Sequence, residues 1–231
     1  MMPKLSKLIP YIPFTGIFLI WIKLDKSSRT ILDVGCGKGD AMDFLNRHGK
    51  FEAVGIDIFR PYLEEAKSKG CFQDLVCGDV RWLPFKDNSF DVVICMEVLE
   101  HLEKADGYKL LNELERVARR QILLTTPVGK HELHPFDGNP YQEHKYIWKV
   151  EDLKKLGYKV RGRGLRNLGG PAGRQIKWLP EPFKSIIIKP IWIVASFLTY
   201  FLSALAGNVV CEKRLDMRQR FDENYEKYNK Q

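Results

Sequence analysis

The sequence predicts an α/β domain built on a mostly parallel sheet that helices cover on both faces. Short and nearly continuous apolar runs alternate with helical patterns from residue 30 to about residue 165. Strands buried on both faces are typical of such sheets. A glycine-rich loop follows the first of these strands and opens a helix. Because ligands of these sheets bind at the carboxyl ends of the strands, this loop marks the expected binding edge.

Length and composition fit one ordinary globular domain with an appendage. The chain has 231 residues, of which 45% are apolar and 29% are charged, and its formal net charge is +8. The composition argues against general disorder, and the charge predicts an anionic partner, either a nucleic acid or an anionic membrane surface. The five cysteines are scattered and form no CxxC pair. Neither a disulfide framework nor a zinc site is therefore predicted, and a cytoplasmic location is favoured.

The order of the elements follows from apolar periodicity and from the glycines and prolines that bound each segment. The predicted helices cover residues 40–48, 61–69, 108–118 and 149–156. The predicted strands cover residues 30–34, 51–56, 73–77, 90–96, 121–126 and 158–163, with a closing strand at 208–215.

The glycine-rich loop has the spacing of a ligand-binding turn. Gly35, Gly37 and Gly39 let the backbone turn sharply and let a ligand approach its N–H groups closely. The third glycine comes one residue earlier than in a G-x-G-x-x-G dinucleotide fingerprint, and the Lys-Ser/Thr pair of a phosphate-binding Walker loop is missing. Asp33 precedes the first glycine by two residues. By itself the loop also fits a plain tight turn.

Three further segments follow this loop in order. Asp57 ends the second predicted strand, Gly78-Asp79-Val80 ends the third, and Met96-Glu97-Val-Leu-Glu100-His101 follows the fourth. Together with the loop, these motifs resemble those of the class I S-adenosylmethionine-dependent methyltransferases over residues 30 to 127. The match is to the type that methylates quinones, sterol-like compounds and fatty acids.

The resemblance implies a Rossmann-like sheet of seven strands whose last strand is antiparallel, with S-adenosyl-L-methionine as the cofactor. It implies that Asp57 accepts hydrogen bonds from the ribose hydroxyls, that Asp79 faces the adenine amino group, and that residues 96–102 lie beneath the methionine end. The implied cofactor-binding residues are Asp33, Gly35, Cys36, Gly37, Gly39, Asp57, Ile58, Gly78, Asp79, Val80, Met96 and Glu97.

Several histidines are candidates for the acceptor half of the site. A hydroxyl or acidic-carbon acceptor needs a general base, and the candidates chosen are His144, His134 and His101, with His131 and Glu143 also in the loop after the fifth strand. Three of these histidines, at 131, 134 and 144, also suggest a metal ion. They lie on no regular element, however, so no metal site is predicted. Plain surface histidines are the remaining alternative.

The carboxyl-terminal third joins a basic stretch to an apolar one. Residues 154–180 contain eight Lys and Arg residues and no Asp or Glu, and Pro190–Ala206 is uncharged. Lys189, Ser196, Thr199 and Ser203 form a thin polar stripe on the predicted apolar helix. Three interpretations stay open: a helix packed in the protein or in a dimer, an interfacial helix docked on anionic lipid, and a membrane span limited by its length.

The N-terminal segment is similarly apolar. Basic residues precede Leu8–Ile22 as in a signal peptide, but Pro10 and Pro13 interrupt the stretch and no cleavage site follows, so secretion is disfavoured. The predicted division is an apolar N-terminal segment at 1–29 acting as a lid or membrane contact, a methyltransferase domain at 30–182, an apolar helical insertion at 183–207, and a closing strand with a charged tail at 208–231.

The leading functional hypothesis is methyl transfer to a small or lipophilic acceptor, with a peripheral membrane position as one setting. The first alternative is an RNA or DNA methyltransferase whose basic 154–180 segment tracks phosphates. The Asn/Asp-Pro-Pro-aromatic and Pro-Cys motifs of nucleobase-methylating relatives are missing after the fourth strand, which weighs against it. The second alternative is a non-catalytic module that keeps the cofactor fold. The acceptor atom and the oligomeric state stay open.

Overall fold

The computed structural model describes residues 15–128, 137–165 and 189–216. The α-helices are α1 (Gly16–Lys23), α2 (Asp40–Leu45), α3 (Arg60–Lys69), α4 (Lys104–Val117), α5 (Val150–Lys155) and α6 (Lys189–Phe201). The strands are β1 (Thr30–Val34), β2 (Glu52–Asp57), β3 (Asp74–Cys77), β4 (Phe90–Met96), β5 (Ala118–Pro127), β6 (Lys159–Leu165) and β7 (Ala206–Arg214). Short 3-10 turns cover Leu99–His101, Pro140–Gln142 and Ser203–Leu205.

The strands form one sheet of seven in the order β3-β2-β1-β4-β5-β7-β6. The pairs among β1 to β5 are parallel, and β7 runs antiparallel to both β5 and β6. The predicted fold is thus confirmed, including the antiparallel last strand. Val34 lies opposite Ile56 on one side and Cys95 on the other. This register brings the carboxyl ends of β1, β2 and β4 to one edge, where the glycine loop lies.

Each face of the sheet has its own apolar core. Within β4, Val93 and Cys95 join the cluster beneath α4, while Val92 and Ile94 join the cluster on the opposite face. Successive side chains of a strand point to opposite faces, so a nearly continuous apolar run supplies both cores. The apolar strand pattern seen in the sequence therefore has a direct structural cause.

The described part of the N-terminal segment packs against the sheet. Leu19 and Ile20 of α1 are buried in the core shared with β1, β4 and β5. The side chain of Gln121 in β5 donates from Nε2 to the carbonyl oxygen of Lys23 at 2.9 Å. One face of α1 thus covers the sheet, whereas Trp21 and Ile22 are exposed, and the lid or membrane contact of residues 1–29 stays a prediction.

All four predicted helices differ in their bounds, and the largest differences lie at the end of α2 and at the start of α4. The helix predicted to reach His48 ends at Leu45, since Asn46 leaves the helix and exchanges hydrogen bonds with the backbone of Phe51 at 2.8 and 2.9 Å. Helix α4 begins at Lys104, four residues before the predicted start. Gly107 lies inside this helix, and a Cβ atom there would stand 2.5 Å from the ring of Trp148, so the close approach of that ring explains the glycine.

Within the predicted apolar insertion, residues 189–201 form a helix that packs on the edge strand β6. Helix α6 ends at Phe201, and a 3-10 turn leads into β7, so the helix is shorter than the predicted stretch to residue 206. A Cβ atom on Gly162 of β6 would lie 2.2 Å from the carbonyl oxygen of Thr199, which shows how closely helix and strand approach. The backbone N–H of Gly164 donates to Oγ of Ser196 at 3.2 Å. In the described ranges, no helix has both the length and the apolar character required to cross a bilayer.

Candidate active site

The loop after β1 has the backbone geometry that its glycines predict. Gly35, Gly37 and Gly39 have φ angles of 70°, 52° and 77°, a region that side chains with a Cβ atom rarely adopt. A Cβ atom on Gly35 would also lie 2.3 Å from Cγ2 of Val98. The N–H of Gly35 donates to the carbonyl oxygen of Ile56 at 2.8 Å. Glycine is therefore required at position 35 for both conformation and space.

Asp57 joins the end of β2 to this loop. Its Oδ2 accepts a hydrogen bond from the N–H of Gly37 at 2.9 Å, and its Oδ1 accepts one from the N–H of Phe59 at 2.9 Å. Burial raises the pKa of this carboxyl group, and the backbone hydrogen bonds oppose that rise. The carboxylate thus stands beside the loop backbone, in a position to accept further hydrogen bonds from a ligand.

Asp33 lies behind the loop in β1 and is only 2% exposed. Its Oδ2 has no hydrogen-bond partner among the described residues. Burial, followed by the nearby charge of Asp57, raises the pKa of Asp33 to about 7. Asp33 is therefore a buried acid whose charge interacts with that of Asp57. It lies beneath the loop and does not line the cavity at the strand ends.

A cavity of about 400 Å³ opens at the carboxyl edge of the sheet. Its lining residues are Gly35, Gly37, Asp57, Ile58, Tyr62, Asp79, Val80, Arg81, Met96, Glu97, Val98, His101, Leu102, Glu103, Asp106, Asn139, Pro140, Tyr141, Gln142 and Lys145. The glycine loop lies at one side, and the segment around the 3-10 turn Pro140–Gln142 lies at another.

Most residues predicted to bind the cofactor meet at this cavity. Those that line it are Gly35, Gly37, Asp57, Ile58, Asp79, Val80, Met96 and Glu97. Asp33, Cys36, Gly39 and Gly78 support the same loop and strand ends without lining it, and Cys36 is buried. The contact of each residue with the cofactor stays a prediction.

The carboxylate of Asp79 is held by an arginine that sequence reasoning missed. Nη2 of Arg81 lies 2.6 Å from Oδ2 of Asp79, and Nη1 lies 2.7 Å from Oδ2 of Asp106 in α4. The hydrogen bonds from Arg81 lower the pKa of Asp79. Asp79 is thus ionised and fixed at the cavity wall. An arginine two residues after a strand-end acid was the available signal.

Two of the three candidate catalytic histidines lie together. The ring centroids of His101 and His144 are 4.9 Å apart, and Nδ1 of His101 lies 3.0 Å from the carbonyl oxygen of Glu143. Burial lowers the pKa of His101, which keeps its imidazole neutral at pH 7. His134, like His131, lies outside the described residues.

Beneath His101 lies a buried carboxyl group whose role the sequence did not reveal. Glu100 is 1% exposed, and its Oε2 accepts a hydrogen bond from Oγ1 of Thr126 at 3.0 Å. Burial, followed by the charge of Glu97, raises the pKa of Glu100 well above its usual value. Glu97 itself has a φ angle of 54°, a conformation uncommon outside glycine. The signal in the sequence was the position of Glu100 within a Glu-x-x-Glu-His segment, which does not indicate that it is buried.

The remaining wall of the cavity comes from residues with no motif of their own. Tyr62 belongs to α3, while Asn139, Tyr141 and Lys145 come from the segment before α5. Oδ1 of Asn139 accepts a hydrogen bond from the N–H of Tyr141 at 2.9 Å, which shapes the turn. Tertiary folding alone brings this segment over the strand ends.

Comparison with known families identifies the domain that carries this cavity. Residues 32–124 match the family model described as a methyltransferase domain. The matched region includes the glycine loop and continues through Asp57, Asp79 and the Glu97–His101 segment into β5.

The relatives cover different shares of the chain. An uncharacterized protein of Methanocaldococcus jannaschii, MJ0638, is 29% identical over 193 residues, which are 81% of this chain and 75% of that protein. The ubiquinone/menaquinone biosynthesis C-methyltransferase UbiE of Desulfotalea psychrophila is 33% identical over 120 residues, 48% of each protein. The probable human tRNA methyltransferase 9B is 32% identical over 98 residues, 42% of this chain and 20% of that protein. The chain thus spans half or less of these two named relatives.

Solved structures agree on the fold. A magnesium protoporphyrin IX methyltransferase from Synechocystis, crystallised with S-adenosylhomocysteine, superposes with a TM-score of 0.55 at 16% identity, covering 94% of this chain and 89% of that one. At this identity the likeness concerns the fold alone.

Residues 32–124 therefore carry a methyltransferase domain of the matched family, and the sheet order is that of the class I methyltransferase fold. S-adenosylmethionine is the cofactor of this family, and the chain is an enzyme of that type.

Proposed function

We propose that this enzyme transfers a methyl group from S-adenosylmethionine to a small or lipophilic acceptor at the surface of an anionic membrane. The cavity carries the proposal, because it continues from the glycine loop to His101 and the 139–145 segment. Its volume of about 400 Å³ lies in the range of small-molecule sites. The cofactor occupies the side of Asp57 and Asp79, and the acceptor enters on the side of His101 and Tyr141.

Methyl transfer requires mainly that the protein positions the acceptor relative to the cofactor. The sulfonium cofactor is already an activated electrophile, so transfer depends on holding the acceptor in line with the methyl group. Gly35 and Asp57 hold the cofactor from the loop side, and Met96 and Glu97 lie beneath its methionine end. A hydroxyl acceptor must also lose its proton, and the His101–His144 pair lies where that step is assisted.

The membrane part of the proposal rests on an unusual orientation of helix α6. Its polar stripe faces the protein, since Ser196 and Thr199 are fully buried against β6. Of the apolar side chains described at 194–202, the larger ones other than Tyr200 point outward instead. The exposed residues are Val194 (71%), Phe197 (59%), Leu198 (52%), Phe201 (62%) and Leu202 (50%).

This outward set, called the apolar face of α6 below, has the spacing of one helical face. A contiguous exposed patch of this kind marks an interaction surface more often than a solvated one. A cation lies beside it, because the guanidinium of Arg161 is 5.5 Å from the ring centroid of Tyr200. The sequence between 154 and 180 adds a basic stretch without acids. Apolar side chains flanked by cations favour an anionic bilayer as the occupant.

Vesicle flotation tests the membrane part. The wild-type chain should float with vesicles containing phosphatidylglycerol. With pure phosphatidylcholine vesicles it should stay in the bottom fraction of the gradient. The double variant Phe197→Ser/Phe201→Ser should lose most of this binding. Trp82→Ser is the matched control, because Trp82 is 65% exposed and lies away from α6. Equal flotation of the double variant, or a change only in its dimerisation, contradicts this part.

A methyl-transfer assay with labelled cofactor tests the acceptor class. Isoprenoid quinols, phenols, a lipid extract, tRNA and DNA are supplied side by side. The proposal predicts label in the organic-soluble products. Label found only in tRNA or DNA supports the nucleic-acid alternative, which the relative named as a tRNA methyltransferase also favours. Cofactor binding without transfer to any acceptor supports the non-catalytic alternative.

A further inference from the structure

The side chains of Glu100, His101 and His144 meet at one point on the acceptor side of the cavity. Each offers one oxygen or nitrogen ligand atom, and these atoms all lie within 4.8 Å of one another. Glu100 is buried, whereas His101 and His144 are half-buried, and His101 also lines the cavity. The set differs from the 131, 134 and 144 histidines considered in the sequence.

Backbone contacts explain why residues more than forty positions apart come together. The carbonyl oxygen of Glu100 accepts hydrogen bonds from the N–H groups of Lys145 at 2.8 Å and Tyr146 at 3.2 Å. Nδ1 of His101 lies 3.0 Å from the carbonyl oxygen of Glu143. The 3-10 turn Leu99–His101 and the segment 143–146 are thus fastened to each other, and the position of His144 is fixed with them.

A second acidic side chain, Glu97, acts on Glu100 at this point, because its charge raises the pKa of Glu100. Glu97 has Nη2 of Arg163 at 3.7 Å, while Glu100 has no ion pair among the described residues. A carboxyl group as buried as that of Glu100, which is 1% exposed, needs either a proton or a cation beside it.

We propose that a divalent cation of the zinc or manganese class binds between Glu100, His101 and His144. Two imidazoles and one carboxylate are a ligand set that such ions prefer. Ligand bonds to zinc measure about 2.0–2.2 Å, so the three side chains move together by about an ångström on binding. The hydrogen bond of His101 to Glu143 provides the outer support that metal-bound imidazoles usually have.

The cation gives the proposed transfer reaction a way to hold an oxygen acceptor. A hydroxyl bound to a divalent ion would give up its proton to solvent water more readily than a free one, and its oxygen would then take the methyl group as the sulfonium becomes a thioether. The site lies on the wall where His101 lines the cavity, so an acceptor oxygen there faces the cofactor side. In this arrangement His101 is a ligand, and the acceptors favoured are phenols and other hydroxyl compounds. This use of the site rests on the proposed function, whereas binding of the ion does not.

Metal binding to the purified full chain tests the proposal directly. After treatment with a chelator and its removal, Zn²⁺, Mn²⁺ and Mg²⁺ are titrated separately by calorimetry, with thermal unfolding followed in parallel. We expect one Zn²⁺ or Mn²⁺ ion per chain and a rise of several degrees in Tm. His144→Ala and Glu100→Gln should each weaken ion binding by about tenfold or more. His48→Ala is the matched control, because His48 is exposed and outside the cluster.

Titration of S-adenosylhomocysteine into the same variants separates this proposal from the methyltransferase function. The proposal predicts that His144→Ala loses the ion and keeps its affinity for S-adenosylhomocysteine. If Glu100→Gln fails to fold, His144→Ala carries the test, since His144 is half-buried. A chelated wild-type chain that takes up no ion at millimolar concentration contradicts the proposal. A His144→Ala variant that binds the ion as tightly as wild type also contradicts it.

Discussion

The carboxylate of Asp57 accepts a hydrogen bond from the backbone N–H of Gly37 at 2.9 Å. One side chain at the end of β2 thereby fixes the turn that follows β1. The two strand ends form a single binding unit, and the cavity opens beside it. This unit rests on the buried acid Asp33 in β1.

Replacing Gly35 with alanine should damage the loop more than a positive φ angle alone can explain. The new Cβ atom would lie 2.3 Å from Cγ2 of Val98, in addition to the strain at φ 70°. Each such strained residue costs about 1–3 kcal/mol. We expect Gly35→Ala to bind S-adenosylhomocysteine at least about tenfold more weakly, measured by calorimetry.

The control for this variant is Gly49→Ala. Gly49 has a similar φ of 60°, but a Cβ atom there has no atom within 4 Å. This variant should lose stability from backbone strain and keep its affinity. Equal ligand affinity of both variants and wild type would show that the Val98 contact is unimportant.

Replacing Asp33 with asparagine should change the pH dependence of stability. The pKa of Asp33 is about 7 in the folded chain, above its usual value of 3.8. The folded state therefore binds the proton more tightly, and this group costs stability as the pH rises from about 4 to 7. One pKa unit corresponds to about 1.4 kcal/mol. Between pH 5 and pH 8, Asp33→Asn should gain on the order of 3 kcal/mol relative to wild type.

Thermal unfolding without cofactor at several pH values between 5 and 8 measures this gain. The curves of wild type and Asp33→Asn should converge toward low pH and separate toward high pH. Parallel curves would mean that Asp33 does not titrate in this range.

Replacing Arg81 with glutamine should affect ligand binding more than stability. The ion pairs of Arg81 with Asp79 and Asp106 are partly exposed, with the arginine side chain 37% exposed. Such pairs contribute less than about 1 kcal/mol to folding. Freed from Arg81, Asp79 is no longer fixed at the cavity wall, so we expect several-fold weaker binding of S-adenosylhomocysteine. Lys109→Gln removes another partner of Asp106 and should leave the affinity unchanged. A loss of stability without a loss of affinity would contradict the assigned role of Arg81.

Replacing Gly162 with alanine should loosen α6 from β6. The added Cβ atom would lie 2.2 Å from the carbonyl oxygen of Thr199 and 2.7 Å from Cβ of Ala206. Overpacking of this kind costs about 1–3 kcal/mol. Urea unfolding should show that decrease, whereas a variant as stable as wild type would show that α6 does not pack as described.

The sequence was sufficient for the order of elements because apolar strands and glycine turns leave local signals. The run Phe90–Met96 was predicted with the observed bounds, since its side chains fill both faces of the sheet. Helix ends were less predictable. Whether Asn46 continues a helix or bonds to Phe51 depends on a contact that only the folded chain makes.

The cofactor half of the site could be predicted from the sequence more fully than the acceptor half. The glycine loop and Asp57 follow strand ends, so their meeting could be predicted from the register of parallel strands. The loop after β5 and residues 96–102 were expected at this edge, but the pairing of Arg81 with Asp79 and the burial of Glu100 could not be predicted, because both depend on tertiary contacts. The inward orientation of Ser196 was equally hidden: a polar stripe on an apolar helix is compatible with either orientation until β6 is seen to cover it.

Calorimetric titration of S-adenosylhomocysteine into the wild-type chain and into Asp57→Asn tests the central claim most directly. The account predicts one ligand per wild-type chain and binding at least about tenfold weaker in Asp57→Asn, because a hydrogen bond to a charged group contributes about 1.5–3 kcal/mol. Asp74→Asn, an exposed acid on the neighbouring strand, should bind like wild type. No binding to wild type, or equal binding by Asp57→Asn, would contradict the assignment of this cavity to the cofactor.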